Sequence, residues 1–248
     1  MIRADFHSHT HRSRDARTRP RELVERAAEV GLDRIAVTDH GDIEGALEAR
    51  SLDPARVIVG EEIRCRGRTE LIGLFLTRRI PMGLSVDETV ERVRDQGGVV
   101  YAPHPFAYLI RPGWHGRRVG AVADMVEGFN SRAFYPSWNG RAARYAALAG
   151  LPMGAGSDAH FPHEIGRAYT EMPPFSDAVS FLAAAPAARA VGRAMGHPAL
   201  HLASAALRAT APIRSGWALP PRPAWPDPRS GTRRPVPASL RARSGDRR

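Results

Sequence analysis

The sequence predicts an α/β fold in which strands and helices alternate around one largely parallel sheet, either doubly wound or closed as a barrel. Two observations support this prediction. Short apolar runs alternate along the chain with segments in which apolar residues recur at helical spacing. Strands separated by helices in this way favour parallel neighbours. The length of 248 residues and the 43% content of hydrophobic residues suffice for a single domain with a sizeable core.

The first half of the chain contributes five predicted strands and three predicted helices. In chain order they are the strand MIRADFH, the helix PRELVERAAEVG, the strand DRIAVTDH, the helix IEGALEARS, the strands RVIVGEEI and TELIGLFL, the helix VDETVERVRDQ and the strand GGVVYAPH. Pro20 lies near the start of the first helix and Gly31 at its end, and Ser85 is the expected N-cap of the third helix.

The second half repeats the alternation. It contains the strand ADMVEGFN, the helix NGRAARYAALAG, the strands LPMGAGSDAH and GRAYTEM, and the helix SDAVSFLAAAPAAR. Gly150 is expected to end the first of these helices. Ser176 is expected to open the last one, which should continue until Pro186.

The C-terminal region differs from the rest in composition. From about residue 209 the chain is rich in Pro, Arg, Ser and Gly and has no apolar period, so we expect a domain over residues 1–208 and a disordered tail over 209–248. From residue 207 onward, ten Arg stand against Asp227 and Asp246, which gives +8 of the total net charge of +10. Residues 1 to 206 therefore carry 26 − 24 = +2, and the predicted domain is nearly neutral.

The available side chains restrict the kind of metal site. Cys65 is the only cysteine, and all 36 basic residues are Arg. A metal would therefore be held by histidines and carboxylates, which suit hydrolytic metals. The start MIRADFHSHTHRSRD is charged where a signal peptide would be apolar, and no apolar run reaches 18 residues, so we expect a cytoplasmic protein without membrane contact.

Polar side chains follow the predicted strands where the strands end. They are His7, His9, His40, Glu62, His104, Glu127, Asn130, Asp158 and His160. In parallel β/α folds the loops at the carboxyl ends of strands gather on one face, where active sites lie. Chance is an improbable cause of this pattern in a chain with ten histidines. His115, His163, His197 and His201 have no supporting pattern, and we expect them to be structural.

The spacing of these residues suits a metal centre. Residues two apart in an extended segment point the same way, about 6.5–7 Å apart along the strand. His7 and His9 can therefore share a cation, as can Asp158 and His160. A bound metal lowers the pKa of water from about 15.7 towards about 7, and two ions about 3.5–4 Å apart can clamp the oxygens of a phosphate ester. Glu62 is the candidate for a carboxylate that bridges two ions.

Six motifs in order resemble the PHP (polymerase and histidinol phosphatase) family of metal-dependent phosphoesterases over about residues 2 to 208. They are DFHSHT with SRD, TDHGDIEGALEA, GEEI, HPF, EGFN and GSDAH. The resemblance implies a distorted (β/α)7, TIM-like barrel with up to three divalent metals at the carboxyl ends of the strands. It implies that His7, His9, Glu62 and Asp158 hold one metal, that Glu62 bridges to a second bound by His104, and that Asp15, His40 and His160 hold a third.

One position departs from this family pattern. Many members have a histidine or cysteine that completes the second metal where this chain has Asn130, after Glu127. Asparagine is a poorer ligand than imidazole for first-row metals, so we expect water or Glu127 to support that metal. Asp5 and Asp39 precede histidines and are expected to orient them.

Three further residues are candidates for contact with a substrate. Arg132 and Arg167 follow strand ends and could grip a phosphate with paired hydrogen bonds, although a surface role is the alternative in a chain with 36 arginines. His11 continues the alternation of His7 and His9. It is expected to face solvent or to support the metal ligands. Either His11 or a metal-bound water could donate the proton to the leaving group.

The predicted function is hydrolysis of a phosphate ester by a metal-activated hydroxide, with two or three Zn, Mn or Fe ions per chain. The substrate would be a phosphomonoester, a nucleotide or the end of a short oligonucleotide. Amidohydrolases that bridge two metals with a carboxylated lysine are excluded because the chain has no lysine. Their mononuclear form gives no role to Glu62 or Asp15. The other alternative is a non-catalytic PHP-like metal-binding module that binds nucleic acid through its basic tail.

Overall fold

A computed structural model describes residues 1–106, 119–193 and 198–210. His115 and His197 lie outside the described residues. The same holds for all of the predicted tail except residues 209 and 210, which belong to the last described helix. The tail and the domain boundary therefore stay predictions.

Nine strands and six α-helices make up the described part of the chain. The strands are β1 (Ile2–Asp5), β2 (Arg34–Val37), β3 (Val57–Arg64), β4 (Glu70–Leu74), β5 (Val99–Ala102), β6 (Met125–Asn130), β7 (Met153–Gly156), β8 (Ala168–Met172) and β9 (Arg189–Gly192). The α-helices are α1 (Pro20–Glu29), α2 (Glu44–Leu52), α3 (Val86–Arg94), α4 (Pro136–Ala149), α5 (Ala178–Ala184) and α6 (Pro198–Thr210). Short 3-10 helices span Arg66–Arg68, Pro162–Glu164 and Ala185–Ala187.

Local signals explain several of the helix ends. Ser85 caps α3 as predicted, because its hydroxyl accepts a hydrogen bond from the Glu88 amide at 3.2 Å. Gly150 ends α4 in the left-handed conformation that glycine favours. The predicted cap of α5 is wrong by one residue: the Asp177 carboxylate, rather than Ser176, accepts a hydrogen bond from the Ser180 amide, at 2.8 Å.

The strands form one sheet in the order β7-β6-β5-β4-β3-β2-β1-β8-β9. It is mixed rather than largely parallel. The pairs β1-β2, β2-β3, β5-β6 and β6-β7 are parallel, whereas β3-β4, β4-β5, β1-β8 and β8-β9 are antiparallel. Only a short link joins β3 to β4, and a link of that length cannot hold the crossover that parallel strands need.

The sheet curves into a nearly closed barrel. The segment after β1 runs beside the segment after β7, and Ser8 and Ala159 form a parallel bridge there. The His9 amide donates to the Ala159 carbonyl at 2.9 Å, and the Asp158 amide donates to the His7 carbonyl at 2.8 Å. These contacts confirm the barrel alternative over an open, doubly wound sheet.

Two layers of apolar side chains stabilise the barrel. The outer layer, which includes Leu23 and Val93, packs the helices against the sheet. The inner layer includes Val99 and Met125, at the amino ends of β5 and β6. Phe181 of α5 packs edge-on against Phe6, with ring centroids 5.3 Å apart. The opposite end of the barrel, at the carboxyl ends of the parallel strands, is left for polar residues.

Among the helices in the described part of the chain, none combines the length and the apolar character needed to cross a membrane.

Truncating Phe181 should destabilise the barrel. Phe181 is fully buried, and Phe→Ala changes in cores cost about 3–5 kcal/mol. Val179 lies on the same helix with its side chain 79% exposed, so Val179→Ala should change the free energy of unfolding by less than about 0.5 kcal/mol. Urea denaturation of both variants measures the difference. Equal stability of the two variants would contradict this account of the inner layer.

Candidate metal centre

Buried histidines and carboxylates meet at the carboxyl ends of the parallel strands. The pairing of Ser8 with Ala159 brings the segment of His7 and His9 beside that of Asp158 and His160. A second parallel bridge joins His40, after β2, to Glu62 in β3. The backbone pairing of the strand ends therefore gathers the predicted ligands into one cluster.

Glu62 lies at the middle of this cluster. Its Oε1 lies 3.1 Å from His104 Nε2, and its Oε2 lies 3.0 Å from His40 Nδ1. The same Oε2 is 3.4 Å from Nε2 of both His7 and His9. A carboxylate whose two oxygens face different sets of nitrogens has the arrangement that a bridging ligand needs.

The neighbouring acid, Glu61, points away from the cluster. Successive side chains of a strand face opposite sides, so Glu62 shares the inner face with Ile58 while Glu61 lies on the other face. Glu61 Oε2 accepts a hydrogen bond from the Ile80 amide at 2.7 Å. Burial raises the pKa of Glu61 to about 8. The structure thus separates the two adjacent acids as strand alternation predicts.

His7, His9 and Asp158 form one group of potential ligands with Glu62. The Nε2 atoms of His7 and His9 are 3.1 Å apart, and Asp158 Oδ1 lies 3.5 and 3.3 Å from them. These three side chains are buried. Facing imidazole nitrogens and carboxylate oxygens at such distances can all be satisfied at once by a cation between them, so the donor set fits a metal.

Asp15, His40 and His160 form a second group. Asp15 Oδ2 lies 3.6 Å from Nε2 of both histidines. Asp15 Oδ1 is buried and has no hydrogen-bond partner among the described residues. An unpaired buried carboxylate oxygen is costly, and a divalent cation would satisfy it. This group is the one that the family resemblance assigns to a third metal.

Glu70 is a further potential ligand that the sequence did not reveal. Glu62, Glu70 and His104 each offer one atom within 4.8 Å of the others. Glu70 begins β4, which runs antiparallel to β3, so its first residue rather than its last lies near the cluster. From the sequence we expected ligands at the carboxyl ends of parallel strands. Glu70 lies at the amino end of β4, so it could have been found only if β4 had been predicted to run antiparallel to β3.

Glu127 and Asn130 face the cluster, but their hydrogen bonds favour a positioning role. Glu127 Oε1 accepts from His7 Nδ1 at 3.0 Å, which leaves His7 Nε2 for a metal. Glu127 Oε2 accepts from the His104 amide at 2.6 Å and from Asn130 Nδ2 at 2.9 Å. Asn130 Oδ1 accepts from the Arg132 amide at 2.9 Å. That either residue is itself a metal ligand stays a prediction.

The glycine at the end of β7 makes room for this arrangement. A side chain at Gly156 would collide with the Glu127 carboxylate and with Cβ of His7. Two of the candidate ligands also have positive φ, His104 at 27° and Asp158 at 52°. Non-glycine residues seldom adopt this backbone, and such strain is typical of functional sites.

Asp39 and Ser13 orient the other histidines. The Asp39 carboxylate accepts from the Ser13 hydroxyl and from the Thr10 amide, both at 2.7 Å. The Ser13 oxygen in turn accepts from His9 Nδ1 at 3.2 Å and from the His40 amide at 3.1 Å. The prediction for Asp39 agrees with these contacts. Ser13 was missed, and its place four residues after His9 was the available signal.

The three candidate substrate residues differ in environment. Arg132 is buried and donates to both oxygens of Glu164, at 2.8 and 3.0 Å, which favours a structural role. Arg167 is exposed, and its Nε donates to the His163 carbonyl at 3.3 Å. His11 is partly exposed, and its Nδ1 has no hydrogen-bond partner among the described residues. Substrate contact by these residues stays a prediction.

Charge–charge interactions shift the pKa values strongly in the cluster. Burial lowers the pKa of His40, but Glu62 and Asp15 outweigh it and raise the value to about 10. Burial and the nearby Arg132 lower the pKa of His160 to about 3. Burial raises the pKa of Asp15, but His40 and His160 outweigh it and hold the value well below its usual range. Asp15 is thus kept ionised by its histidine neighbours, and a bound cation can also stabilise its charge.

Comparisons with known proteins agree with this geometry. The model of the PHP domain matches residues 5–100, and the PHP-associated model matches residues 136–195. The uncharacterized protein MJ1587 of Methanocaldococcus jannaschii is 37% identical in an alignment of 144 residues that covers 52% of this chain and 82% of that protein. The chain belongs to the PHP family, as its motifs predict.

Solved structures share the fold at low sequence identity. A two-domain protein from Bacteroides vulgatus, described as containing a predicted PHP-like metal-dependent phosphoesterase, matches with a TM-score of 0.65 and 18% identity over 83% of this chain and 69% of that one. The lesion-specific endonuclease PfuEndoQ from Pyrococcus furiosus matches with a TM-score of 0.56 and 17% identity over 76% of this chain and 57% of that one. At these identities the likeness concerns the fold.

Substitutions of Glu62 and of its neighbour Glu61 should have different effects on metal binding. Glu62→Gln removes the charge that faces four histidines, and we expect metal affinity to fall by at least about 100-fold. Glu61→Gln changes a side chain that is largely protonated at neutral pH and should retain metal. Metal content after dialysis, measured by mass spectrometry, tests both. Retention of metal by Glu62→Gln would contradict the bridging role.

Metal binding should release protons and strengthen as the pH rises. In the metal-free chain the pKa of His40 is raised to about 10, and that of His7 is raised well above its ordinary value. The His40 ring is therefore protonated at neutral pH, and the upward shift at His7 favours its protonated form as well, so a cation must displace protons to bind. We expect the affinity for Mn²⁺ to increase from about pH 6 to about pH 8. Calorimetry in buffers of different ionisation enthalpy measures the release; binding without it would contradict the prediction.

Proposed function

We propose that this protein is a hydrolase of phosphate esters that uses two or three divalent metal ions. The arrangement around Glu62 carries the proposal: one carboxylate oxygen faces His104 and the other faces His7, His9 and His40. The groups on either side supply further carboxylates from Asp15 and Asp158. Imidazole and carboxylate donors suit Zn, Mn or Fe. The Irving–Williams order of divalent-metal affinities does not by itself select one of these metals.

The chemistry of such a centre matches ester hydrolysis. When bound, divalent ions lower the pKa of water from about 15.7 towards about 7 and neutralise charge on phosphate oxygens. Glu127 holds His7, and Ser13 holds His9, with one ring nitrogen directed to the cluster. His11 lies two residues after His9 and is partly exposed, and it is the proposed proton donor to the leaving group.

The substrate is proposed to be a phosphomonoester, a nucleotide or the end of a short nucleic acid strand. Family membership supports phosphoester chemistry but leaves these alternatives open. One structural neighbour is an endonuclease Q bound to a 27-mer duplex with an abasic lesion at its active site, which supports the nucleic acid alternative. Cytoplasmic location remains an expectation from the sequence.

A non-catalytic binding module is less favoured by the site. The nearly complete set of potential ligands argues against a degenerate barrel, because unused buried carboxylates and histidines would only cost stability. In this centre Glu62 and Asp15 outweigh burial and raise the pKa of His40, and His40 and His160 in turn hold the pKa of Asp15 well below its usual range. The basic tail, which this alternative needs, lies outside the described residues.

Hydrolysis of chromogenic esters tests the proposal. We expect the purified protein with Mn²⁺ to cleave a phosphomonoester or a phosphodiester, and His9→Ala and Asp158→Ala to lose at least about 1,000-fold in kcat/KM. His163→Ala is the matched control, since His163 is an exposed histidine near β8.

The outcomes are distinct. Turnover by the wild-type chain and by His163→Ala, with loss in the other two variants, would support the proposal and identify the preferred ester class. Fewer than one metal ion per chain together with no turnover of either ester would refute it.

A further inference from the structure

A pocket opens beside the metal centre, between α6 and the loop after β6. Asp158 and His160 line its inner side, and Trp138 of α4 lines a second side. Ala205 and Arg208 contribute from α6. The pocket therefore joins ligands of the centre to a helix that comes from the far end of the described chain.

Arg132 fixes the position of this helix. Its Nη2 donates to the Leu200 carbonyl at 3.2 Å and to the Ser204 hydroxyl at 3.0 Å. Arg14 donates to the Arg208 carbonyl at 2.9 Å and holds the last turn. The side chain of Arg208 is therefore presented to the centre by a helix that is anchored in two places.

Arg208 directs its guanidinium at the metal centre. Its Nη2 donates to Asp15 Oδ2, which belongs to the group with His40 and His160. Asp15 is 1% exposed, whereas the Arg208 side chain is 49% exposed. Arg208 thus spans the distance between a buried carboxylate and the solvent-facing pocket.

Among the described residues that line the pocket, two are arginines. The guanidinium of Arg132 donates to both oxygens of Glu164 and to Ser204, so its donors are engaged in holding the structure. The guanidinium of Arg208 donates to the carboxylate of Asp15, which is itself a candidate metal ligand. If Asp15 binds a cation, the carboxylate charge is partly neutralised and its ion pair with Arg208 weakens.

We propose that Arg208 binds the phosphate group of the substrate, because α6 places its half-exposed guanidinium at the edge of the pocket beside Asp15, Asp158 and His160. The inference rests on the proposed function and adds a residue that selects the phosphate. Guanidinium binds two phosphate oxygens at once, which also orients the ester towards the centre. Phosphate replaces Asp15 as the anionic partner of Arg208.

The opposing interpretation is that Arg208 serves only as a counterion for Asp15. In that case its removal changes metal binding at Asp15 and leaves phosphate binding by the metal-loaded chain unaltered. Phosphate affinity measured at saturating Mn²⁺ separates the two interpretations without requiring any turnover.

The test is calorimetric titration of inorganic phosphate into the full-length, Mn²⁺-loaded protein. Losing a charge-assisted contact of this kind should weaken phosphate binding by at least about 10-fold in Arg208→Gln. Arg208→Lys should recover part of the affinity, since it restores the charge without the paired donors. Arg17→Gln is the control, because Arg17 is an exposed arginine on the loop of Asp15.

Three further readouts accompany the titration: metal content, melting temperature and the steady-state constants. We expect unchanged Mn²⁺ content at saturation, an unchanged melting temperature because Arg132 still anchors α6, and a KM for the phosphomonoester raised by about as much as the phosphate affinity falls. Phosphate affinity in Arg208→Gln equal to that of the wild type or of Arg17→Gln would overturn the inference, as would a wild-type chain that binds no phosphate.

Failure of this inference differs from failure of the proposed function. If the wild type hydrolyses esters while Arg208→Gln keeps its KM and phosphate affinity, Arg208 is not the phosphate ligand and the proposed function stands. If phosphate binding depends on Arg208 but no ester is cleaved, Arg208 is a phosphate ligand, and it is the proposed ester hydrolysis that fails.

Discussion

The pairing of the segment after β1 with the segment after β7 is the constraint on which the rest of the structure depends. Two backbone hydrogen bonds, His9 to Ala159 and Asp158 to His7, join the first and the seventh strands of the barrel at their carboxyl ends. The same pairing brings two histidines of one segment beside the aspartate and the histidine of the other. The contacts that close the barrel are therefore the same contacts that bring the candidate metal ligands together.

Burial of so many ionisable groups makes the centre dependent on positive charge. Asp15, Glu62 and Asp158 are nearly inaccessible to solvent, and isolated carboxylates in such surroundings are costly. In the metal-free chain, protonated His40 and the guanidinium of Arg208 supply part of the compensation. Divalent ions supply it more completely, so metal binding and stability of the native state should be coupled.

Much of the fold and the centre could be predicted because the relevant signals are local. The alternation of strands and helices, and the polar residues at strand ends, are visible in the sequence. Strand alternation predicts that only one of Glu61 and Glu62 faces the centre, and the G-x-E motif of the family selects Glu62. The remaining signals depend on tertiary structure: Glu70 lies near the centre only because β4 is antiparallel, and Arg208 reaches Asp15 across 193 positions of sequence. The strand β9 was missed because its sequence RAVG has little β-forming character.

A crystal structure of the protein grown with Mn²⁺, with anomalous diffraction measured at the manganese edge, tests the central claim most directly. The account predicts at least two anomalous peaks on either side of the Glu62 carboxylate, about 3.5–4 Å apart, as expected for ions that share a bridging ligand. Peaks that avoid Glu62, or no peak among the buried histidines at saturating Mn²⁺, would contradict it.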